Sequence, residues 1–368
     1  MKSRAGFEKK GTFRFLTSSL APLLAVLFLL NCPPLKPSGA KAEASAETIQ
    51  LQSTENTETK EKIIPGPRFA LYPAEARPGE PVTVGYSDNF GSAAAPRLQA
   101  VLIDSRGRSL AKANFFSMSR QDPVTMLSAE SPADREQELR AAILAIPSTA
   151  PAGIAVIRIE SANGIVRDLH FKINSREFAS ETIPLDQANT DLRTVPDPQK
   201  TAESDQLWTI LNRTGTEIYY GGQFMPPVTS TRRTSLYGDR RVYSYVNGVN
   251  DTAIHAGVDY GVPTGTEVRA CAAGKVVLAK FRIVTGNSVI LEHLPGVYSL
   301  YYHMDKISVS EGTIIEAGSL LGHSGSTGLA TGPHLHWEIR VSGENTDPDA
   351  FMARPILDKK DILNKLTN

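Results

Sequence analysis

His334-Leu335-His336-Trp337-Glu338-Ile339-Arg340-Val341 alternates polar and apolar residues without a break. In an extended chain successive side chains point to opposite faces. Both histidines, Glu338 and Arg340 therefore share one face, and Leu335, Trp337, Ile339 and Val341 the other. The stretch predicts a half-buried strand whose polar face begins with two imidazoles. Upstream, His255-Ala256-Gly257-Val258-Asp259 sets His255 and Asp259 on one face of an extended segment, with Ala256 and Val258 on the other. A third strand is predicted at Ser299-Leu300-Tyr301-Tyr302-His303-Met304, with Tyr301 and His303 on the same side. Six of the seven histidines lie between His255 and His336.

Histidines and a carboxylate on strand faces suit a catalytic zinc site, where three protein ligands leave a fourth position for water. Zinc there lowers the pKa of the water and polarises a carbonyl. Spacing alone leaves open which histidines bind metal and which act on substrate.

The rest of the chain bounds the reading. At 368 residues it predicts two to three domains. Lys plus Arg is 39 and Asp plus Glu is 39, a zero balance that excludes general nucleic-acid binding. The arginines Arg232, Arg233, Arg240 and Arg241 are accordingly read as a solvated face. Only Cys32 and Cys271 occur, which excludes a disulfide framework and a four-cysteine zinc site.

Lys2, Arg4, Lys9, Lys10 and Arg14 precede an uncharged run from Phe15 to Leu30, the layout of a secretory signal. Leu29-Leu30-Asn31-Cys32 abuts that run and resembles a lipoprotein box, while Ala40-Lys41-Ala42 offers a more distant cleavage site. We expect residues 1–32 to be a signal peptide, with lipidated Cys32 as membrane attachment and an extracytoplasmic, periplasmic or cell-envelope location. Residues 33–64 lack large apolar side chains and predict a disordered tether. Residues 65–175 carry short apolar runs between turn residues, including Asn163-Gly164, and predict an immunoglobulin-like β-sandwich. His170 falls there as a surface strand residue. A linker over 176–212 holds a predicted helix from Gln199 to Asn212 with Ala202, Leu207, Ile210 and Leu211 as its apolar face. An antiparallel β-sheet domain holding these strands is expected over 213–354, then a tail over 355–368. The expected fold class is thus all-β dominated.

Residues 213–352 resemble the lysostaphin-like, or LytM-type, zinc metallopeptidases. The resemblance rests on His255-x-x-x-Asp259, Tyr301-Tyr302-His303, Gly325-Ser326-Thr327-Gly328 and Thr331-Gly332-Pro333-His334-Leu335-His336. It implies that His255, Asp259 and His336 hold one Zn2+ per chain and that His303 and His334 form the catalytic pair beside it. It also implies a tyrosine ahead of the first ligand that assists the oxyanion, with Tyr243 and Tyr245 as candidates. His293 matches a family histidine outside the metal set, and His323 sits in a turn. The implied function is a zinc endopeptidase that hydrolyses peptide cross-links of bacterial peptidoglycan. The alternative is a non-catalytic wall-binding or amidase-activating module of the same fold.

Overall fold

The computed structural model describes residues 68–88, 97–118, 138–213 and 215–367, so the expected signal segment, Cys32 and the tether lie outside it. Among the described residues no helix is long and apolar enough to cross a membrane. The architecture is mostly β, with four helices among the described residues.

The amino-terminal part is two sheets. One runs β1 (Arg68–Tyr72), β3 (Pro81–Asp88), β7 (Glu138–Ala145), β6 (Phe116–Ser117). The other runs β2 (Glu75–Ala76), β9 (Gly164–Ile173), β8 (Gly153–Ser161), β4 (Leu98–Ile103), β5 (Ser109–Asn114). Alternation drives the packing: Ala155, Ile157 and Ile159 on β8 point inward and meet Val82, Val84, Ala142 and Leu144 of the first sheet. Each of the valine, leucine and isoleucine side chains buried here stabilises the fold by about 1.5–3 kcal/mol. The β8–β9 turn depends on Gly164, whose φ of +119° disfavours any side chain. His170 is exposed on β9.

The linker holds β10 (Ser180–Pro184), α1 (Gln187–Thr194) and α2 (Pro198–Leu211). Asp186 caps α1 by accepting from the Asn189 amide, and Asp197 caps α2 from Gln199, with Pro198 in the first turn where no N–H is needed. Ile210 and Leu211 are buried with Leu207 against the large sheet. Ala202, expected on that face, is exposed and Glu203 is buried instead. A carboxylate suits the position because Glu203 Oε2 accepts from the Ile283 amide at 2.8 Å.

The large sheet runs β11 (Arg233–Ser235), β14 (Val258–Tyr260), β21 (Leu335–Val341), β18 (Val297–Ile307), β17 (Gly286–Leu294), β16 (Gly274–Arg282), β19 (Ile314–Ile315). Beside it, β15 (Glu267–Arg269) pairs with β20 (Leu320–Ser324), β20 also pairs with β18, and β22 (Glu344–Thr346) extends β21. A small sheet places β10 parallel to β12 (Arg240–Ser244), which pairs antiparallel with β13 (Asn250–Ile254).

The two faces of the large sheet have different fates. Leu335, Trp337 and Ile339 face the main core with Val258, Tyr260, Val289, Leu291 and Tyr301. Register pairs Tyr302 with His336, Leu300 with Glu338 and Asp259 with His336, so these share the opposite face. On that face α2 covers Leu278, Ile290, Tyr298, Leu300 and Tyr302. The expectation of a half-buried strand is therefore corrected: β21 is buried on both faces, with Glu338 only 4% exposed and held between His336 and Arg340.

After the short helix α3 (Pro348–Ala353), the stretch expected to be a tail forms α4 (Lys359–Thr367). Ile362 and Leu366, one turn apart, pack on Ala70, Leu139 and Ala141 of the first amino-terminal sheet. Gly85 lies directly under Ile362, where a Cβ would collide with the isoleucine methyl.

Candidate metal centre

Asp259 on β14 and His336 on β21 are direct register partners across an antiparallel ladder, and His255 precedes β14 by three residues. The backbone thus converges three donor atoms. Asp259 Oδ1 lies 2.7 Å from His336 Nδ1 and 3.1 Å from His255 Nε2, and the two nitrogens are 3.1 Å apart. All three side chains are buried, and together they form a group that could hold a metal ion.

The outer atoms of these side chains settle where the protons sit. His255 Nδ1 is 2.7 Å from the Leu236 carbonyl, which only accepts, so Nδ1 carries the hydrogen and Nε2 presents a lone pair inward. His336 Nε2 donates to Glu338 Oε1 at 3.0 Å, which aims its Nδ1 inward in the same way. Glu338 Oε2 in turn accepts from Arg340 Nε at 2.8 Å. Two inward imidazole nitrogens and a carboxylate oxygen converge on one point, where a bound cation would take the place of the proton that His336 otherwise holds. For Zn–N bonds of about 2.0–2.1 Å the edge of a ligand tetrahedron is about 3.3 Å, close to the spacings here.

Charge follows the same logic. Burial opposes ionisation of Asp259, but His336 and His255 outweigh it and hold the carboxyl well below the usual range. Burial likewise opposes a proton on His336, yet Asp259 and Glu338 on its two sides push it up to about 9. The donor set is built to hold positive charge. His255, with burial dominant, is shifted down.

The other two expected histidines line the same cleft. His303 Nδ1–H donates to the Thr327 carbonyl at 2.8 Å and His334 Nδ1–H to the Gly332 carbonyl at 2.8 Å. Among the described residues neither Nε2 has a partner in hydrogen-bond range; that of His334 is 3.9 Å from Asp259 Oδ1. The His303 and His334 ring centroids are 4.8 Å apart. Burial, then His334 and His336, push His303 down to about 3.

How His303 reaches the cleft was not legible in the alternation. Val289 pairs with Tyr301 but Asn287 pairs with Met304, so β18 carries one extra residue there. His303 absorbs it with φ of +59°, a left-handed conformation costly for a residue with a Cβ. The Thr285 carbonyl, accepting from the His303 amide at 2.9 Å, helps hold it. The expectation that Tyr301 and His303 share a side is corrected by this bulge. Tyr301 points into the core, where its hydroxyl accepts from the Cys271 amide, and His303 turns to the side of His336.

The cleft encloses about 230 Å³, and its walls include Ile183 and Leu185 from the linker, Tyr243, Ile254, Val284, Leu329 and Ala330. Of the two tyrosine candidates, Tyr243 lines the cleft and Tyr245 does not: its hydroxyl accepts from Arg193 and bonds to Asp251. His293 lies in the core, and His323 on β20 is paired with Glu267 across to β15. Of the four arginines read as a solvated face, Arg232 is exposed, and the other three are partly buried. Arg233 bonds to Asp349 and lies over Tyr260, Arg240 reaches the Ser148 carbonyl, Arg232 reaches that of Gly261, and Arg241 donates to Asp259. Sequence reasoning missed Arg241 and Glu181, because their partners are far away in the chain. Glu338 was placed on the right face, and what stayed hidden was its grip on His336.

Residues 253–348 match peptidase family M23. Together with the cluster above, this identifies the segment. That segment is similar to M23 peptidases. Over 128 residues the chain is 38% identical to the DD-carboxypeptidase/endopeptidase Mpg of Neisseria meningitidis, covering 35% of this chain and 29% of that protein. It is also 38% identical over 114 residues to lysostaphin of Staphylococcus staphylolyticus, covering 29% of this chain and 24% of that protein. A solved Pseudomonas aeruginosa structure described as a peptidase M23 is 21% identical with a TM-score of 0.48, covering 75% of this chain and 94% of that one. The chain thus spans less than a third of the length of these two curated relatives. All five histidine and aspartate residues of the cleft fall inside the M23 segment; β10 and Arg241 fall outside it.

Proposed function

We propose that the protein is a zinc endopeptidase that hydrolyses peptide cross-links of bacterial peptidoglycan, acting outside the cytoplasm. The observation that carries the reading is the convergence of His255 Nε2, His336 Nδ1 and Asp259 Oδ1, with the outer nitrogen of each imidazole tied to a carbonyl or carboxylate so that the inner one faces the cation position. The substrate class follows the relatives, which are named for DD-carboxypeptidase and endopeptidase activity or are lysostaphin.

In this reading His255, Asp259 and His336 hold one zinc ion per chain. When bound, zinc supplies a Lewis acid for the scissile carbonyl and a more acidic attacking water. The chain's own groups do the rest. His303 and His334 both turn Nε2 to the cleft, because each Nδ1–H is committed to a backbone carbonyl. One Nε2, as a lone pair, accepts the proton of the attacking water; the other acts in its protonated form, steadying the developing oxyanion or passing that proton to the leaving amine. Tyr243 stands in the wall as the candidate tyrosine for the oxyanion. The apolar side chains Ile183, Leu185, Val284 and Leu329 exclude water around the bond.

The domain boundaries are part of the same proposal. We read residues 65–175 as an immunoglobulin-like sandwich, supported by the strand order β1-β3-β7-β6 against β2-β9-β8-β4-β5. Residues 213–354 are the peptidase domain. Lipidation of Cys32 would attach the protein to a membrane facing the wall. Metal analysis of the purified protein tests the core of the reading: one zinc per chain is expected, falling to below a tenth of that in His336→Ala. A wild-type protein that binds no zinc refutes it.

A further inference from the structure

We propose that Arg241 is a positioning residue for the metal-ligating carboxylate of Asp259, itself held by Glu181 of the linker strand. The inference rests on the zinc reading above and deepens it. Asp259 divides its two oxygens: Oδ1 faces the imidazoles, and Oδ2 accepts from Arg241 Nη2 at 2.7 Å. An unrestrained carboxylate beside a divalent cation can rotate or bind through both oxygens. A guanidinium on Oδ2 leaves Oδ1 as the oxygen offered inward.

Arg241 is itself placed by the fold. Its side chain is 13% exposed, and its Nε donates to Glu181 Oε1 at 2.8 Å. Arg241 and Glu181 are register partners in the parallel β10–β12 pair, so the backbone ladder sets their approach. The planar fork spans two carboxylates at once, which an ammonium cannot reproduce. Glu181 Oε1 also accepts from the Ser235 hydroxyl at 2.9 Å, which lies 3.1 Å from Asp239 Oδ2. Asp239 Oδ2 accepts from the Leu236 amide, and the Leu236 carbonyl is the acceptor for His255 Nδ1–H. One connected network thus touches two of the three donor side chains. Its anchor is a linker residue more than seventy positions ahead of the M23 segment.

The test is zinc affinity by competition with a chromogenic chelator at one fixed pH, on the full protein, together with the visible spectrum of the cobalt(II)-loaded forms. Arg241→Lys keeps the charge and loses the fork; it is expected to weaken zinc binding about 10–100-fold and to shift the cobalt bands. Glu181→Gln is expected to weaken it by a few-fold, roughly 3–10. If Glu181 acts through Arg241, the double variant binds no more weakly than Arg241→Lys alone. Thermal unfolding of the metal-free forms guards against a general loss of fold, and Glu181→Gln keeps the test alive if Arg241→Lys does not fold. Wild-type affinity and an unchanged cobalt spectrum in these variants overturn the proposal and leave the zinc site standing. Fully additive losses overturn the link through Glu181. A wild-type protein without zinc overturns both this inference and the function it rests on.

Discussion

One buried histidine, His293, lies on the core face of the large sheet and four line the cleft on its other side, and they differ in what each imidazole has left over. In the core, His293 Nδ1–H donates to the Ala273 carbonyl at 2.7 Å, and Nε2 accepts from the Ser299 hydroxyl at 2.7 Å. Ser299 lies 3.0 Å from the Tyr301 hydroxyl, which accepts from the Cys271 amide. Both ring nitrogens are consumed by the chain. In the cleft, each of His255, His303, His334 and His336 has one nitrogen fixed by a carbonyl or carboxylate and the other turned toward the cavity. The lesson is that burial does not mark a functional histidine. The unspent nitrogen does.

That comparison breaks if cleft and core substitutions have the same signature. The largest effect is expected in the cleft: His303→Ala or His334→Ala should lower turnover by about 10²–10⁴ while zinc stays bound, read by cleavage assay beside metal analysis. Loss of zinc from either variant would move that histidine into the metal set. In the core, His293→Leu should leave turnover within a few-fold and cost roughly 2–4 kcal/mol of stability by stranding a buried hydroxyl and carbonyl, read by denaturant unfolding.

The contrast sharpens with pH. Burial pushes His293 down to about 4, from an ordinary value of 6.5. The folded state then binds fewer protons than the unfolded chain between these values, so the neutral buried form stabilises the fold above 6.5 and that stability is lost as pH falls toward 4. The loss amounts to about 3 kcal/mol. Wild type should weaken across this window more steeply than His293→Leu, and parallel profiles would refute the assignment. The smallest effect is that of Ser299→Ala, about 1–2 kcal/mol with unchanged turnover.

Much of this was legible because strand alternation writes faces directly into the sequence. His336 and Glu338 fall on one face by parity alone, and Leu335, Trp337 and Ile339 on the other, while the register of the neighbouring strand is what adds Asp259 to the first. Where parity fails, the cause is local: the extra residue at His303 turns that side chain across the sheet, and only the partner strand reveals it. The Arg241 and Glu181 contacts were hidden for another reason. Charged residues 60 positions apart carry no local signal of pairing, and a run of arginines reads as surface until a linker strand is seen to cover it. The helix α4 resembled a tail for the same reason, since its apolar stripe meets the amino-terminal sheet only in the fold.

The central claim is that the unspent nitrogens and the carboxylate of the cleft serve peptide-bond hydrolysis in the wall. Mass spectrometry of peptidoglycan fragments after incubation with the purified protein, with and without prior removal of zinc, tests it most directly. The account predicts that cross-linked dimers disappear and monomers accumulate only with zinc present. Unchanged dimers with a zinc-loaded protein, or cleavage that persists after the zinc is gone, would contradict it.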